Sequence, residues 1–165
     1  MLARAFHSLS LPVRFSHVRR AQAFTSRALS SGDMQAVTYG NNIPGYEIGK
    51  KDAPAVIVLQ EWWGINDLIK MHAAKISEVG GYRCLVPDLY KGKIGVDKEE
   101  AAHLMGNLDF KAATAELTQS VEYLKSTGSG KVGCVGFCMG GALVLCGPAF
   151  GGGLRGCVLW HSRKP

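Results

Sequence analysis

Short apolar runs alternate with longer segments of helical periodicity from about residue 44 to residue 160. The runs are continuous instead of alternating between apolar and polar residues, which indicates strands that are covered on both faces. Residues 55–59, 83–86, 131–136 and 156–160 are predicted strands, the second of them stopped by Pro87, and residues 46–48 are a candidate edge strand. Strands of this kind are typical of an α/β protein.

The first predicted helix covers residues 67–79. Asn66 is placed to cap its N-terminus, and Gly80 with Gly81 is placed to end it. Its apolar residues suggest one buried side, comprising Leu68, Met71, Ala74, Ile76 and Val79.

Two further helices precede the third strand. Asp97 and Glu100 have capping-box spacing before a helix over residues 101–107, and Asp109 is placed to cap a helix over 110–127. In the latter, apolar residues repeat at helical spacing, at Ala113, Leu117, Val121 and Leu124. With right-handed crossovers, this order of elements predicts an α/β fold with a doubly wound, mostly parallel sheet.

Composition supports one folded domain with tails. The chain has 165 residues, of which 47% are hydrophobic and 19% charged, a balance that excludes a largely disordered chain. The net charge is +6, but residues 1–32 contain five arginines and no acidic residue, and the remainder is almost neutral. A basic nucleic-acid-binding groove is therefore not expected.

Residues 1–32 are rich in Arg and Ser and lack acid, as organelle import sequences do. We predict that they form a transit peptide, with mitochondria as the destination and plastids, or a disordered basic tail on a cytoplasmic protein, as alternatives. No apolar region suits a secretory signal. Residues 33–165 then form the folded domain.

Residues 132–154 carry no charge over 23 positions, which is long enough to span a bilayer. Eight of the 23 are glycine and Pro148 interrupts the rest, so a buried strand, a tight turn and a buried helix explain the segment better.

The five cysteines lack CxxC spacing, which argues against disulfides and against a metal site. No cofactor is expected.

The sequence Gly136-Phe137-Cys138-Met139-Gly140 lies between a predicted strand and a helix and matches G-x-nucleophile-x-G. Such a turn holds the nucleophile in a strained conformation, and its glycines leave room for neighbouring backbones. The following helix directs N–H groups at the sulfur, which favours the thiolate and can hold an oxyanion. The alternatives are a packing turn with a passive cysteine and a dinucleotide-binding loop, although the glycines do not fit G-x-G-x-x-G.

A second motif, Gln60-Glu61-Trp62-Trp63-Gly64, follows the first predicted strand. In α/β folds that carry a nucleophile at such a turn, the loop after this strand supplies a second N–H group to the oxyanion, here the amide of Trp62. Glu61 is a candidate to accept the thiol proton. The alternatives are a solvent-facing glutamate and tryptophans that serve only for packing.

These two motifs, together with Val86-Pro87-Asp88-Leu89-Tyr90 and the double glycine Gly140-Gly141, resemble the dienelactone hydrolases (carboxymethylenebutenolidases) over residues 44–150. The resemblance implies an α/β-hydrolase fold and cleavage of a small ester or lactone through an acyl-enzyme. It implies that Cys138 is the nucleophile, that Glu61 pairs with the resting thiol, and that the amides of Trp62 and Met139 form the oxyanion hole.

The sequence also departs from the family pattern. Residues 139–165 contain no Asp or Glu, and their one histidine, His161, comes too early for the family's base. We therefore expect a fold that is incomplete at its C-terminus, as in a truncated product, with impaired turnover. The alternative is an inactive fragment that acts as an interaction partner, with self-association through an exposed strand at 156–160.

The absence of Arg between Asp88 and Gly130 makes the dienelactone itself a doubtful substrate, and Lys93, Lys98 and His103 are expected to form a solvated face.

Overall fold

The computed structural model describes residues 30–145 in full and the backbone of residues 154–160. Residues 1–29 of the predicted transit peptide, and His161, lie outside these residues. The elements are a 3₁₀ turn at Ser31–Asp33 and, in chain order, β1 (Gln35–Tyr39), β2 (Ile43–Ile48), β3 (Ala55–Leu59), α1 (Asp67–Gly80), β4 (Arg83–Pro87), α2 (Lys98–Gly106), α3 (Phe110–Ser126), β5 (Val132–Phe137), α4 (Met139–Leu145) and β6 (Leu154–Trp160).

One sheet contains all six of these strands, in the order β1-β2-β4-β3-β5-β6. The strands β4, β3, β5 and β6 are parallel, whereas β1 and β2 form an antiparallel hairpin whose second strand pairs with β4. One apolar cluster joins the sheet to α3 and α4, and a second joins it to α1. Helices thus cover both faces, which confirms the doubly wound, mostly parallel α/β prediction.

The hairpin is where the observed strands differ most from the predicted ones. β1 was not predicted, because most of its side chains are at least partly exposed and it has no apolar run. β2 is twice as long as the predicted edge strand and includes Pro44 and Gly45, two residues that usually mark breaks. Gly45 is required there, since a Cβ would lie 2.8 Å from the carbonyl oxygen of Val86.

The predicted helix caps are confirmed. The Asn66 side chain accepts a hydrogen bond from the amide of Ile69 at 3.2 Å, and Gly81 ends α1 with a φ of +66°. Asp97 caps α2, and Asp109 caps α3. Short polar side chains at these positions accept the N–H groups that the first helical turn leaves without partners.

The predicted buried side of α1 was wrong for its three exposed large residues, although Ala74 is buried and Ile76 is partly buried as predicted. Leu68, Met71 and Val79 are 45%, 55% and 74% exposed, and the buried residues are Ile69, Ala73, Ala74 and Ser77. Small side chains on this stripe let the helix approach the sheet closely, so the large apolar residues were misleading. In α3 the predicted residues Ala113, Leu117, Val121 and Leu124 are buried as expected.

The uncharged segment after residue 131 contains β5, a turn and α4, as the glycine content predicted. Among the helices of residues 30–145, none has both the length and the hydrophobicity that a membrane span requires.

Candidate active site

Cys138 occupies the sharp turn between β5 and α4. Its φ is +50°, in the left-handed region that costs a non-glycine residue about 1–2 kcal/mol. Its carbonyl accepts the amides of Gly141 and Ala142 at 3.0 and 3.3 Å, so the first turn of α4 holds this conformation. The thiol is exposed. The strained, solvent-facing geometry predicted for Cys138 is therefore present.

The other two cysteines described in full behave differently. Cys84 and Cys134 are buried, and burial raises the pKa of the Cys84 thiol to about 12. A thiol of this kind stays protonated at neutral pH and is a poor nucleophile. Among the described thiols, only that of Cys138 combines exposure with a position at the carboxyl edge of the sheet.

The elbow glycines make the turn possible. A Cβ on Gly136 would collide with the carbonyl of Gly140, and a Cβ on Gly140 would lie 2.6 Å from the carbonyl oxygen of Gln60. Gly141 is buried within the first turn of α4. These contacts are to backbone atoms, which cannot move aside as a flexible side chain can, so larger residues at 136 or 140 would force the turn open.

The loop after β3 lies against the elbow. The carbonyl of Gln60 accepts the amide of Gly140 at 3.1 Å, which places the start of the EWWG motif beside the turn that carries Cys138. Within residues 30–145, the amides of Trp62 and Met139 donate no hydrogen bond. Both N–H groups therefore remain available, as the predicted oxyanion hole requires.

Glu61 is half-buried and lines a small cleft together with Asn66, Leu68, Ile69, His72 and Phe137. Phe137 immediately precedes Cys138 in the chain. In the part of the chain that the structure describes, no hydrogen bond joins the Glu61 carboxylate to the Cys138 thiol. The pairing of Glu61 with the resting thiol stays a prediction. His72, whose ring packs 4.7 Å from that of Phe137, was not singled out from the sequence.

The loop after β4 contributes contacts that the sequence analysis quoted only as part of a motif. The Asp88 carboxylate accepts the amides of Tyr90 and Gly92 at 3.1 and 2.7 Å. Tyr90 is buried, and its hydroxyl donates to the thioether of Met139 at 3.1 Å. Burial raises the pKa of Tyr90 to about 12, and the nearby charge of Cys138 adds to the effect. The Val-Pro-Asp-Leu-Tyr motif was the available signal for both residues.

Three other residues singled out from the sequence lie at the surface. Lys93, Lys98 and His103 are exposed, as expected of a solvated face. Among the residues described, no group of three or more potential metal ligands is close enough to hold an ion.

Comparison with known proteins agrees with this geometry. The family model described as "Dienelactone hydrolase family" matches residues 43–165. The chain belongs to the dienelactone hydrolase family. It is 32% identical over 104 residues to carboxymethylenebutenolidase 1 of Cupriavidus pinatubonensis, covering 56% of this chain and 44% of the relative. It is 30% identical over 107 residues to the carboxymethylenebutenolidase of Pseudomonas putida, covering 58% and 45%.

A solved structure supports the fold of this dienelactone hydrolase family member. A dienelactone hydrolase-like promiscuous phosphotriesterase from metagenomic libraries matches with a TM-score of 0.64 at 21% identity, covering 80% of this chain and 60% of that chain. The chain spans about half the length of the curated relatives it matches.

Proposed function

We propose that this chain carries the nucleophile half of a cysteine hydrolase that cleaves a small ester or lactone. The observation that carries the proposal is the exposed Cys138 thiol, held at a φ of +50° at the start of a helix and at the carboxyl edge of the sheet. Family membership supports hydrolysis of a small molecule. The identity of the nucleophile and the roles of its neighbours are our assignment.

The proposed chemistry begins with transfer of the Cys138 proton to Glu61. The thiolate then attacks the carbonyl carbon, forming a C–S bond as the carbonyl electron pair moves onto oxygen. The amides of Trp62 and Met139 would stabilise that oxyanion. Its collapse breaks the C–O bond, and the leaving alkoxide takes the proton that Glu61 received from Cys138 and becomes an alcohol. Water then hydrolyses the thioester and releases a carboxylic acid.

The two half-reactions are expected to proceed at different rates in the 165-residue chain. Residues 139–165 supply no carboxylate and only His161 as an imidazole, so no pair of Asp and His is identified that would activate water for the second half. We propose that Cys138 is acylated and that the acyl-enzyme is hydrolysed slowly. The competing hypothesis is a catalytically inactive protein that associates through β6, which lies at the edge of the sheet.

Mixing the protein with p-nitrophenyl acetate separates these hypotheses. We expect a stoichiometric burst of p-nitrophenolate, with the acetyl group located on the Cys138 peptide by mass spectrometry. Cys138→Ala should lose the burst, whereas Cys84→Ala, which removes a buried thiol, should retain it. Absence of any burst favours the inactive protein, and a burst that survives in Cys138→Ala excludes Cys138 as the nucleophile.

Glu61 is tested in the same assay. General bases commonly contribute about 10²–10⁴-fold, so Glu61→Gln should slow the burst at neutral pH by roughly a hundredfold if Glu61 accepts the thiol proton. Glu78→Gln, which changes an exposed glutamate of α1, should leave the burst rate unchanged. An unchanged burst in Glu61→Gln would remove Glu61 from the mechanism.

We also propose that residues 1–32 direct the protein to mitochondria, on the strength of five arginines and no acidic residue in that segment. Residues 1–32 fused to a fluorescent protein should accumulate in mitochondria. A variant with the five arginines changed to glutamine should not. Diffuse fluorescence of the unaltered fusion would refute this destination.

A further inference from the structure

Tyr90 touches the two segments that carry the proposed oxyanion donors. Its ring packs on Gly64, where a Cβ would lie 3.3 Å from Tyr90 Cδ2. Its hydroxyl donates to the Sδ of Met139 at 3.1 Å. Tyr90 is only 6% exposed, and its amide is held by the Asp88 carboxylate at 3.1 Å. Tyr90 is thus held in place and connects the loop after β3 with the start of α4.

We propose that Tyr90 is a positioning residue that sets the spacing of the oxyanion hole through its hydrogen bond to the Met139 thioether. The inference rests on the proposed function, because it takes Cys138 as the nucleophile. One donor, the Trp62 amide, lies two residues before Gly64, and the other is the amide of Met139 itself. A change in the separation of these two segments would move one donor relative to the other.

The hydroxyl matters because methionine is a flexible residue. Three rotatable bonds let its side chain occupy several rotamers, and a hydrogen bond to the sulfur selects one of them. Met139 is buried and follows a residue with strained backbone, so the position of its side chain constrains the first turn of α4. Because the pKa of Tyr90 is raised to about 12, the phenol remains a donor throughout the neutral pH range.

Two reactions of the same thiol distinguish positioning of the hole from general support of the fold. Acylation by p-nitrophenyl acetate develops a negative oxygen, which the hole stabilises. Alkylation by iodoacetamide transfers a carbon to sulfur as iodide leaves, and it develops no oxyanion. A residue that sets the hole should affect the first rate and spare the second, whereas a residue that supports the fold should affect both or neither.

The decisive variant is Tyr90→Phe, which keeps the ring against Gly64 and removes the hydroxyl. We expect acylation of Cys138 to slow about tenfold, which is less than the roughly hundredfold loss that a 1 Å misplacement of catalytic groups can cause, and alkylation to remain unchanged. Met139→Leu, which removes the acceptor, should slow acylation by the same factor. The double variant should be no slower than either single variant, because both remove one interaction.

Tyr82→Phe is the matched control, since Tyr82 is exposed and immediately precedes β4, at the opposite end of that strand from Tyr90. Both of its rates should equal those of the unaltered protein. If Tyr90→Phe failed to fold, Met139→Leu would carry the test alone. Equal slowing of both reactions, or of neither, overturns the inference. Failure of the unaltered protein to acylate Cys138 at all would instead reject the proposed function, and the positioning role with it.

Discussion

The two ends of the parallel sheet use buried polar groups in opposite ways. At the amino end, the guanidinium of Arg83 is fully buried and lies 2.8 Å from the carboxylate of Glu47. That carboxylate also accepts the hydroxyl of Tyr123 at 2.9 Å, and Arg83 donates to the hydroxyl of Thr127 at 2.8 Å. At the carboxyl end, the thiol of Cys138 faces solvent on a strained backbone.

The difference shows that a cluster of charge does not by itself mark the reactive site. The amino-end network joins β2, β4 and α3 and is enclosed by the protein, so a substrate has no access to it. The carboxyl end combines conformational strain with N–H groups that have no partner among residues 30–145. We therefore expect variants at the amino end to change stability alone, and variants at the elbow to change reactivity as well.

The largest stability effect is expected from Arg83→Met. It would leave the Glu47 carboxylate buried without its cation, and breaking a buried ion pair in this way costs about 3–5 kcal/mol. Urea denaturation should show this loss. Where the variant is still folded, the rate of Cys138 alkylation should match that of the unaltered protein.

The double variant Glu47→Gln/Arg83→Met is its control, because it removes both charges and should recover part of the lost stability. A single variant that is no less stable than the double would contradict the view that the unpaired carboxylate is the source of the cost. Altered alkylation at equal folding would show that the two ends of the sheet are coupled.

The next largest effect is expected from Gly136→Ala. The added Cβ meets the backbone carbonyl of Gly140, and overpacking of this kind costs about 1–3 kcal/mol. Unlike Arg83→Met, it should also abolish the Cys138-dependent burst, because the turn must open. Gly106→Ala, with no atom within 4 Å of the added Cβ, should retain the burst and full stability. A Gly136→Ala protein with a normal burst would refute the steric account of the elbow.

Much of the fold could be predicted from the sequence wherever a residue acts on its near neighbours along the chain. A cap such as Asn66 acts on amides within one turn, and the glycines around Cys138 act on a turn only a few residues long. The order of strands and helices followed from continuous apolar runs, which report burial on both faces. These features need little knowledge of which distant residues become neighbours.

The parts that could not be predicted depend on such distant contacts. The buried side of α1 was misjudged because Ala73 and Ser77 carry a weak hydrophobic signal yet lie on the stripe that packs against the sheet. The bond from Tyr90 to Met139 joins residues 49 positions apart, and the one from Arg83 to Glu47 joins residues 36 apart. No local pattern encodes either pairing, and the role of Glu61 stays a prediction for the same reason.

A smaller loss of stability is expected at alkaline pH, and its source is the buried thiol of Cys84 in β4. Cys84 ionises near pH 9 in the unfolded chain, but its folded pKa is about 12. Above pH 9 the unfolded state therefore loses its proton first, so stability falls as pH rises toward 12, with a limiting slope of about 1.4 kcal/mol per pH unit from this group.

Denaturation at pH 8, 9 and 10 should show this decline, and Cys84→Ala should show a flatter one over the same interval. If Cys84→Ala and the unaltered protein lose stability in parallel, burial of the Cys84 thiol is not the cause of the alkaline loss.

The smallest effect is expected from Asp88→Asn, and it compares two buried carboxylates at opposite ends of the sheet. Glu47 faces a guanidinium, whereas Asp88 accepts two backbone amides, those of Tyr90 and Gly92. An asparagine keeps the volume and one acceptor oxygen, so the loss of unfolding free energy should be about 1 kcal/mol. The lost hydrogen bond helps to hold Tyr90 in place. Acylation of Cys138 should therefore slow while its alkylation stays constant. A loss as large as that of Arg83→Met, with both rates unchanged, would place Asp88 with the structural network of the amino end and not with the site.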